Sequence, residues 1–598
     1  MDRGLIKQGR NFVQRHWRRA LQLREKFLLR EEALHLVIAG VVGVLGGLVN
    51  LVFFYGIEYV KLFFLRAPGD PVEVAEVMTS WQRVLIPTVG GLVAGLVLHW
   101  GLRLVGRQGS TNLLEVVVAG DGRLPLRSGL VNAASSLVSI GTGASIGREG
   151  GITQMAATLA SKLGQLAHWP PYRLRLLVGC GAASGIAAAY NAPIAGAVFA
   201  SLIVLGNVSM NLFAPLVFSS VIAAMVSRSF FGIKPWYVVP PFEFTSVFQL
   251  PWFVLLGLGC GLLGAVFLKM IRQVKVRFDQ VTLPLYVKMA GGGLVVGLIA
   301  IEYPGVWGNG YVMTNRILHN ELPLVVLGGL FLAKLLATVF TVGSGTVGGV
   351  FTPTLFLGAS LGGLFGVGLH HLEFATELPT SSFALVGMGS VLAATTRSPF
   401  LAMIMVFEIS LDYSLMPPLM LGCVMAIVMA GRLEHDSIYT EGLRAKGIRE
   451  SDDPTRFGAA TAQRVGDVML APVTPLKETA SLHEIADRFL RNSNNFLPVV
   501  DASQRLVGIV ALQDLKEHLG AGAELNAVIA YDVMRPPPRC VTPNQRLVEI
   551  FHVALASEQQ NIPVVSTLTE NRLVGRLSRA QVLGLFAETI AAGSKPLA

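Results

Sequence analysis

The chain has 598 residues, 52% of them hydrophobic and 14% charged, with a formal net charge of +10. Soluble domains carry about 25% charged residues, so this composition excludes a protein that lives wholly in water and assigns most of the chain to lipid. Cys180, Cys260, Cys423 and Cys540 are scattered without a C-x-x-C pair and support neither a disulfide framework nor a zinc site.

Much of the positive charge stands at the start. Arg3, Lys7, Arg10, Arg15, Arg18, Arg19, Arg24, Lys26 and Arg30 precede the first apolar segment. The cluster reads as a cytoplasmic end held by the positive-inside rule, not as a nucleic-acid patch, and it is too long for a signal peptide. Residues 1–34 are therefore expected as a basic cytoplasmic segment, and 35–441 as the membrane unit. Within that unit apolar segments recur from about Leu36 to about Ala430, some long enough to span at roughly 20 residues each. Others are short and interrupted by Gly or Pro, at Gly143 to Gly151, Gly185 to Gly196 and Gly343 to Pro353. Short broken segments in paired positions point to a binding site near the bilayer midplane.

The first break is GTGASIGREGG, Gly141 to Gly151, which sets Arg148 and Glu149 in an apolar surround. An ionisable residue at membrane depth is costly and by default functional. The following MAATLASKLG is expected to continue as a helix, whose N-terminus favours an anion through its free N–H groups and partial positive charge. The sharp reading is an anion pathway with a carboxylate at its mouth; the bland one is a helix cap with a structural Arg–Glu pair. GSGTVGGVFTPTL, Gly343 to Leu355, is the second pathway segment, with free N–H groups around Gly348 and Gly349 and Pro353 in a first helical turn. Tyr439, just past the last apolar run, reads either as a phenol donating to an anion or as an interfacial anchor. An internal likeness lays AAAYNAPIAGAVFASL, from Ala187, over AATTRSPFLAMIMVFE, from Ala393, with Pro193 on Pro399 and Leu202 on Glu408.

The composition turns charged and soluble from about Arg444. Residues 442–463 are expected as a linker, followed by units 464–522 and 523–598. DVM at Asp467 recurs at Asp532, FLPVV ending at Val500 recurs as NIPVV ending at Val565, and RLVG at Arg505 recurs at Arg572. Each unit reads as strand, helix, strand, strand, helix.

GREGG at Gly147, GGVFTP at Gly348 and Tyr439 resemble, in order and spacing, signatures of the CLC family of chloride channels and chloride/proton exchangers. NAPIAG at Asn191, GNGY at Gly308 and RSPF at Arg397 are similar to further stretches of that family. The resemblance implies a homodimer with one anion pathway per subunit, built from inverted repeats whose helix ends meet at the anion. It makes Glu149 the gating glutamate and assigns chloride binding to Ser110, Gly150, Val350, Phe351 and Tyr439. An ionised Glu149 occupies the anion site, and protonation releases it.

The chain departs from the family pattern in several places. GSTNL at Gly109 stands for the usual G-S-G-I-P, and Gly151 stands where a Pro is usual. Leu202 and Ile203 occupy the place of the internal proton-relay glutamate of the exchangers. Glu408 and Asp412 are substitutes to weigh, each with a structural role as the alternative, and Arg148 and Lys334 are expected to be structural. The tail resembles a tandem pair of cystathionine-β-synthase (CBS) domains, which often bind an adenine nucleotide. On that resemblance Asp514 would hold the ribose and Ser578 is retained, while Ala511 and Gln581 replace the usual partners.

The fold expected is an all-α polytopic membrane protein with broken helices in inverted repeat, followed by a soluble α/β CBS pair. The function expected is passive, glutamate-gated transport of chloride or a similar small anion, channel-like or loosely proton-coupled, with a regulatory tail. The alternatives are a coupled chloride/proton antiporter with a non-standard inner proton path, and a CBS-regulated divalent-cation transporter. No enzyme chemistry, metal or required cofactor is expected, and no nucleic-acid partner. The place is the cell inner (plasma) membrane, multi-pass, with both termini cytoplasmic.

Overall fold

The computed structural model describes residues 31–66, 69–106, 113–118, 121–167, 169, 171–206, 210–232, 237–240, 246–444, 464–491, 496–513, 528–557, 561–567, 569–579 and 582. The chain divides into two compact units, Met1–Gly442 and Leu443–Ala598.

The first unit is helical. Its elements are α1 (Glu31–Leu65), α2 (Pro71–Val77), α3 (Ser80–Val105), α4 (Leu113–Val118), α5 (Leu126–Gly141), α6 (Glu149–Leu166), α7 (Pro171–Tyr190), α8 (Pro193–Phe199), α9 (Met210–Phe231), α10 (Leu250–Gln280) and α11 (Leu285–Glu302). They continue with α12 (Tyr311–Leu318), α13 (Leu324–Gly343), α14 (Phe351–His371), α15 (Thr380–Thr396), α16 (Pro399–Ser410), α17 (Met416–Leu433) and α18 (Glu441–Arg444). Among the described residues eight helices are long and apolar enough to cross a membrane: α1, α3, α9, α10, α11, α13, α14 and α17. With so many spans, this is a multi-span membrane protein, since only closed hydrogen-bonded elements cross lipid.

The breaks between the other helices fall at matched places. α5 gives way to α6 through Gly143 at φ +94°, and α13 gives way to α14 through Gly345, also at φ +94°. Only glycine adopts that backbone without strain. α7 stops where Asn191 turns left-handed at φ 60° and Pro193 opens α8; α15 stops where Arg397 turns left-handed at φ 60° and Pro399 opens α16. Proline lacks an N–H and holds a helical φ, so it fits a first turn. The sequence placed a break across Gly185 to Gly196; the structure confines it to Asn191 and Ala192. Gly185 stays inside α7 because its bare Cα lets the α6 backbone approach; a β-carbon there would lie 2.7 Å from Thr153 Cα.

The two broken pairs meet through Gly147 and Gly349, each four residues beyond its left-handed glycine. Gly147 N–H donates to Gly349 O at 2.7 Å and Gly349 N–H donates to Gly147 O at 2.8 Å. A reciprocal antiparallel pair between equivalent residues has a local twofold axis between them. The two halves therefore run inverted, an orientation that the likeness between Ala187 and Ala393 could not supply. α6 packs on α7 as α14 packs on α15, and α8 packs on α16.

The second unit contains α19 (Val465–Val468), β1 (Leu476–Lys477), α20 (Leu482–Arg491), β2 (Phe496–Val500), β3 (Leu506–Ala511), α21 (Ala530–Val533), α22 (Leu547–Ala556), β4 (Asn561–Val565) and β5 (Leu573–Ser578). β1 is parallel to β2, and β2 pairs antiparallel with β3, Phe496 opposite Ala511. β4 pairs antiparallel with β5, Asn561 opposite Ser578. The leading strand expected in the second repeat is reduced to one bridge, Val541 to Val564. The repeated DVM segments cross over: Val465 sits in the core with Val541, Leu547 and Leu577, whereas Ala530 and Val533 sit in the core with Leu476 and Leu497. In each, the Asp reaches back as a cap, Asp467 accepting from Arg464 N–H at 2.9 Å and Asp532 from Ile529 N–H at 3.0 Å.

Candidate functional site

Glu149 is the first residue of α6, and its side chain crosses to the start of α14. Its Oε1 accepts from Thr352 N–H at 3.1 Å and its Oε2 from the Thr352 hydroxyl at 2.9 Å. An ionised carboxylate is acceptor-only, so in that state the Thr352 proton is committed to it and the Tyr190 hydroxyl, 2.7 Å from Thr352 Oγ1, is the donor of that pair. Glycine is required around this carboxylate. A β-carbon at Gly147 or Gly349 would overlap its oxygens, and one at Gly150 would lie 2.5 Å from Gly349 N. The side chain is thus held by a helix start and a hydroxyl, with no Lys or Arg among the described residues bonded to it.

The residues around the carboxylate have structural duties. The Arg148 guanidinium lies over the rings of Tyr311 and Phe54, 5.5 and 5.9 Å from their centroids. Lys334, fully buried, donates to the carbonyls of Val306 and Gly308 at 2.9 Å each and so ties the GNGY turn to α13.

A cavity of about 600 Å³ opens from Glu149, and Gly150, Val350, Phe351 and Tyr439 line it as well. Five of the residues singled out in the sequence are thereby brought together. Tyr439 packs edge-on against Phe199, ring centroids 5.7 Å apart, so it belongs to the cavity wall. Ser110 lies outside the described residues, although Leu113 and Leu114 at the start of α4 reach the same cavity. Lys275, exposed near the end of α10, and Glu441 line the cavity too. Glu441 stands past the last span, where burial holds its carboxyl above the usual range against the charges of Arg272 and Lys275. Sequence reasoning passed over Thr352, whose hydroxyl one residue beyond Phe351 was the available signal.

No carboxylate stands at Leu202 or Ile203, the place of the exchangers' inner acid, although Glu441 lines the same cavity. Ala200–Val204 forms a single π-helical turn after α8, and Ile203 and Val204 line the cavity from it. Glu408 accepts from Ile194 N–H at 2.9 Å and Ala195 N–H at 2.6 Å, capping the start of α8. Asp412 accepts from Ser414 N–H at 2.9 Å and from the Ser414 hydroxyl at 2.6 Å within its own turn. In the tail, Ser578 closes β5, and Asp514 lies outside the described residues.

Inverted broken helices whose starts converge on a buried carboxylate are the architecture of a membrane transport protein. The family described as voltage gated chloride channel matches residues 89–431, and the CBS domain matches residues 465–521 and 530–588. The chain is 42% identical over 431 residues to a ClcB-like chloride channel protein of Ralstonia nicotianae, covering 71% of this chain and 100% of that one. It is 35% identical over 412 residues to the voltage-gated ClC-type chloride channel ClcB of Citrobacter koseri, covering 68% and 98%. Its fold is similar to that of a slow cyanobacterial Cl−/H+ antiporter, with a TM-score of 0.60 at 24% identity over 69% of this chain and 97% of the other. The chain belongs to the CLC family and carries a C-terminal tandem CBS pair. Members of this family are channels and transporters, not enzymes.

Proposed function

We propose that the protein carries chloride, or a similar small anion, by passive flow gated by Glu149. The carrying observation is the Glu149 carboxylate seated on the Thr352 N–H and hydroxyl at the start of α14. Ionised, the side chain is its own blocking anion; protonated, it yields the place to chloride. Backbone N–H groups at Gly150, Val350 and Phe351, with hydroxyls at Tyr439 and Ser110, form the anion site in this reading. Support for weak proton coupling comes from the apolar Ile203 on the cavity wall and from Glu408 serving as a helix cap. We place the protein in the inner membrane with both termini cytoplasmic, for which its basic start is the support, and as a homodimer, for which the support is its membership of the CLC family.

Purified protein in liposomes is expected to pass chloride and no potassium or magnesium. Cation-selective flux would overturn the reading and revive the divalent-cation alternative. A sharper test of the seat is Thr352→Val, which keeps the N–H and removes the hydroxyl. A hydrogen bond to a charged group is worth about 1.5–3 kcal/mol, or roughly one to two pH units. The seated, ionised state weakens, so the flux–pH profile should move by about that much toward higher pH. An unmoved profile would exclude the seat at Thr352.

For the tail we propose regulation through an adenine nucleotide held between the CBS repeats by Asp514 and Ser578. A nucleotide titration of the full chain should saturate and should fail with Asp514→Ala; equal binding by both proteins would refute the assignment.

A further inference from the structure

A second recess lies at the far ends of α5 and α6 and is built of basic residues. It measures about 540 Å³ and is lined by Arg123, Leu124, Pro125, Leu126, Arg127, Lys162 and Gln165. A neighbouring recess of about 410 Å³ shares Arg123, Lys162 and Gln165 and adds Trp169. No carboxylate lines either one. Among the described residues Arg123, Arg127 and Lys162 form no hydrogen bond or ion pair.

The recess is preformed. Ser161 Oγ donates to Gly122 O at 2.6 Å and accepts from Leu124 N–H at 2.9 Å, and Gln165 Nε2 donates to Leu124 O at 3.2 Å. These bonds pin the loop that carries Arg123 against α6. The start of α5 faces the same place, and its N-cap, Pro125, supplies no side-chain acceptor. Three cations without partners and an uncapped helix start converge where an anion would satisfy both.

Depth selects the kind of anion. Lys162 stands thirteen residues along α6 from Glu149, about 20 Å at 1.5 Å per residue, against a half-thickness of roughly 15 Å for a bilayer core. With Glu149 in the membrane interior, as the proposed function requires, Lys162 reaches headgroup level. Leu130, three residues along α5 from Arg127, and Leu166, next to Gln165, are 50% and 66% exposed and offer apolar surface for an acyl chain.

We propose that this recess binds the phosphate of an anionic membrane lipid, with Arg123, Arg127 and Lys162 around the headgroup. Free phosphate shares that chemistry, but the apolar flank and the headgroup depth favour the lipid. Basic pockets between membrane helices bind such headgroups, and a Lys or Arg near an anionic membrane surface contributes roughly fivefold in affinity. The test uses the full chain, purified in neutral detergent and titrated with phosphatidylglycerol, cardiolipin or phosphatidylcholine, with retained lipid counted by native mass spectrometry. The first two should be retained and the third not. Arg123→Gln/Arg127→Gln/Lys162→Gln should lower retention by on the order of a hundredfold. Arg123→Lys/Arg127→Lys should restore most of it, and Lys269→Gln on exposed α10 should leave it unchanged. Unchanged retention in the triple variant, or equal loss with Lys269→Gln, would overturn the proposal. So would competition by inorganic phosphate at sub-millimolar concentration, which would assign the recess to a soluble anion. Retention is read without ion flux, so its failure is separate from failure of the gating reading.

Discussion

Glu149→Gln protein in liposomes should carry chloride at a rate that no longer depends on external pH. In the proposed gate the ionised carboxylate seated on Thr352 blocks the anion's place, and each unit of acidification changes its ionisation ratio about tenfold. Flux should therefore rise as pH falls. Glutamine has the same shape and no titrating proton, so it cannot compete as an anion at any pH. The variant should run near the acid-side rate of the wild type across the range, and Glu149→Ala should behave alike because its short side chain cannot reach Thr352. Retention of the wild-type pH profile by Glu149→Gln would put the gate on another group.

Much of this site was legible because its chemistry is local. Glycines flanking a lone Arg–Glu pair, and a second glycine break ending in Phe-Thr-Pro, announce helix starts aimed at one place, and the structure joins them through Gly147 and Gly349. The inversion of the halves was not legible, because a likeness between apolar segments carries no direction; only a reciprocal backbone bond supplies one. The break read across Gly185 to Gly196 narrows to Asn191 and Ala192 because glycine serves two ends. Here it permits close helix packing against Thr153, and the chain turns instead at Asn191, where proline follows. Thr352 was missed because a lone hydroxyl in a helix has many routine uses. The exchange of DVM segments between the CBS cores was beyond reach for a similar reason: a repeat shows which segments are alike, not which partner each one packs against.

A chloride gradient imposed on sealed liposomes should move chloride without driving protons uphill. A proton crossing an apolar interior needs titratable groups or a water wire, because an isolated buried charge is too costly. Glu149 can serve the half of the path that ends at Thr352. Beyond it the cavity wall offers Phe199, Ile203 and Val204, none of which titrates, and its carboxylate besides Glu149 is Glu441, past the last span. Glu408 is held by two backbone N–H groups at the start of α8, and moving it would leave both donors unpaired, at about 1–3 kcal/mol each. Water offers the remaining route, since a cavity of about 600 Å³ with Lys275, Glu441 and Tyr439 on its walls has room and polar partners for it. The experiment clamps voltage with potassium and valinomycin and follows internal pH. A fixed ratio of protons to chloride, with protons moving against their own gradient, would make this an exchanger fed by water through the cavity. In that case Glu149→Gln should abolish the proton movement and spare the chloride. If internal pH stays still while chloride moves, the apolar turn at Ile203 is sufficient to account for uncoupled flow.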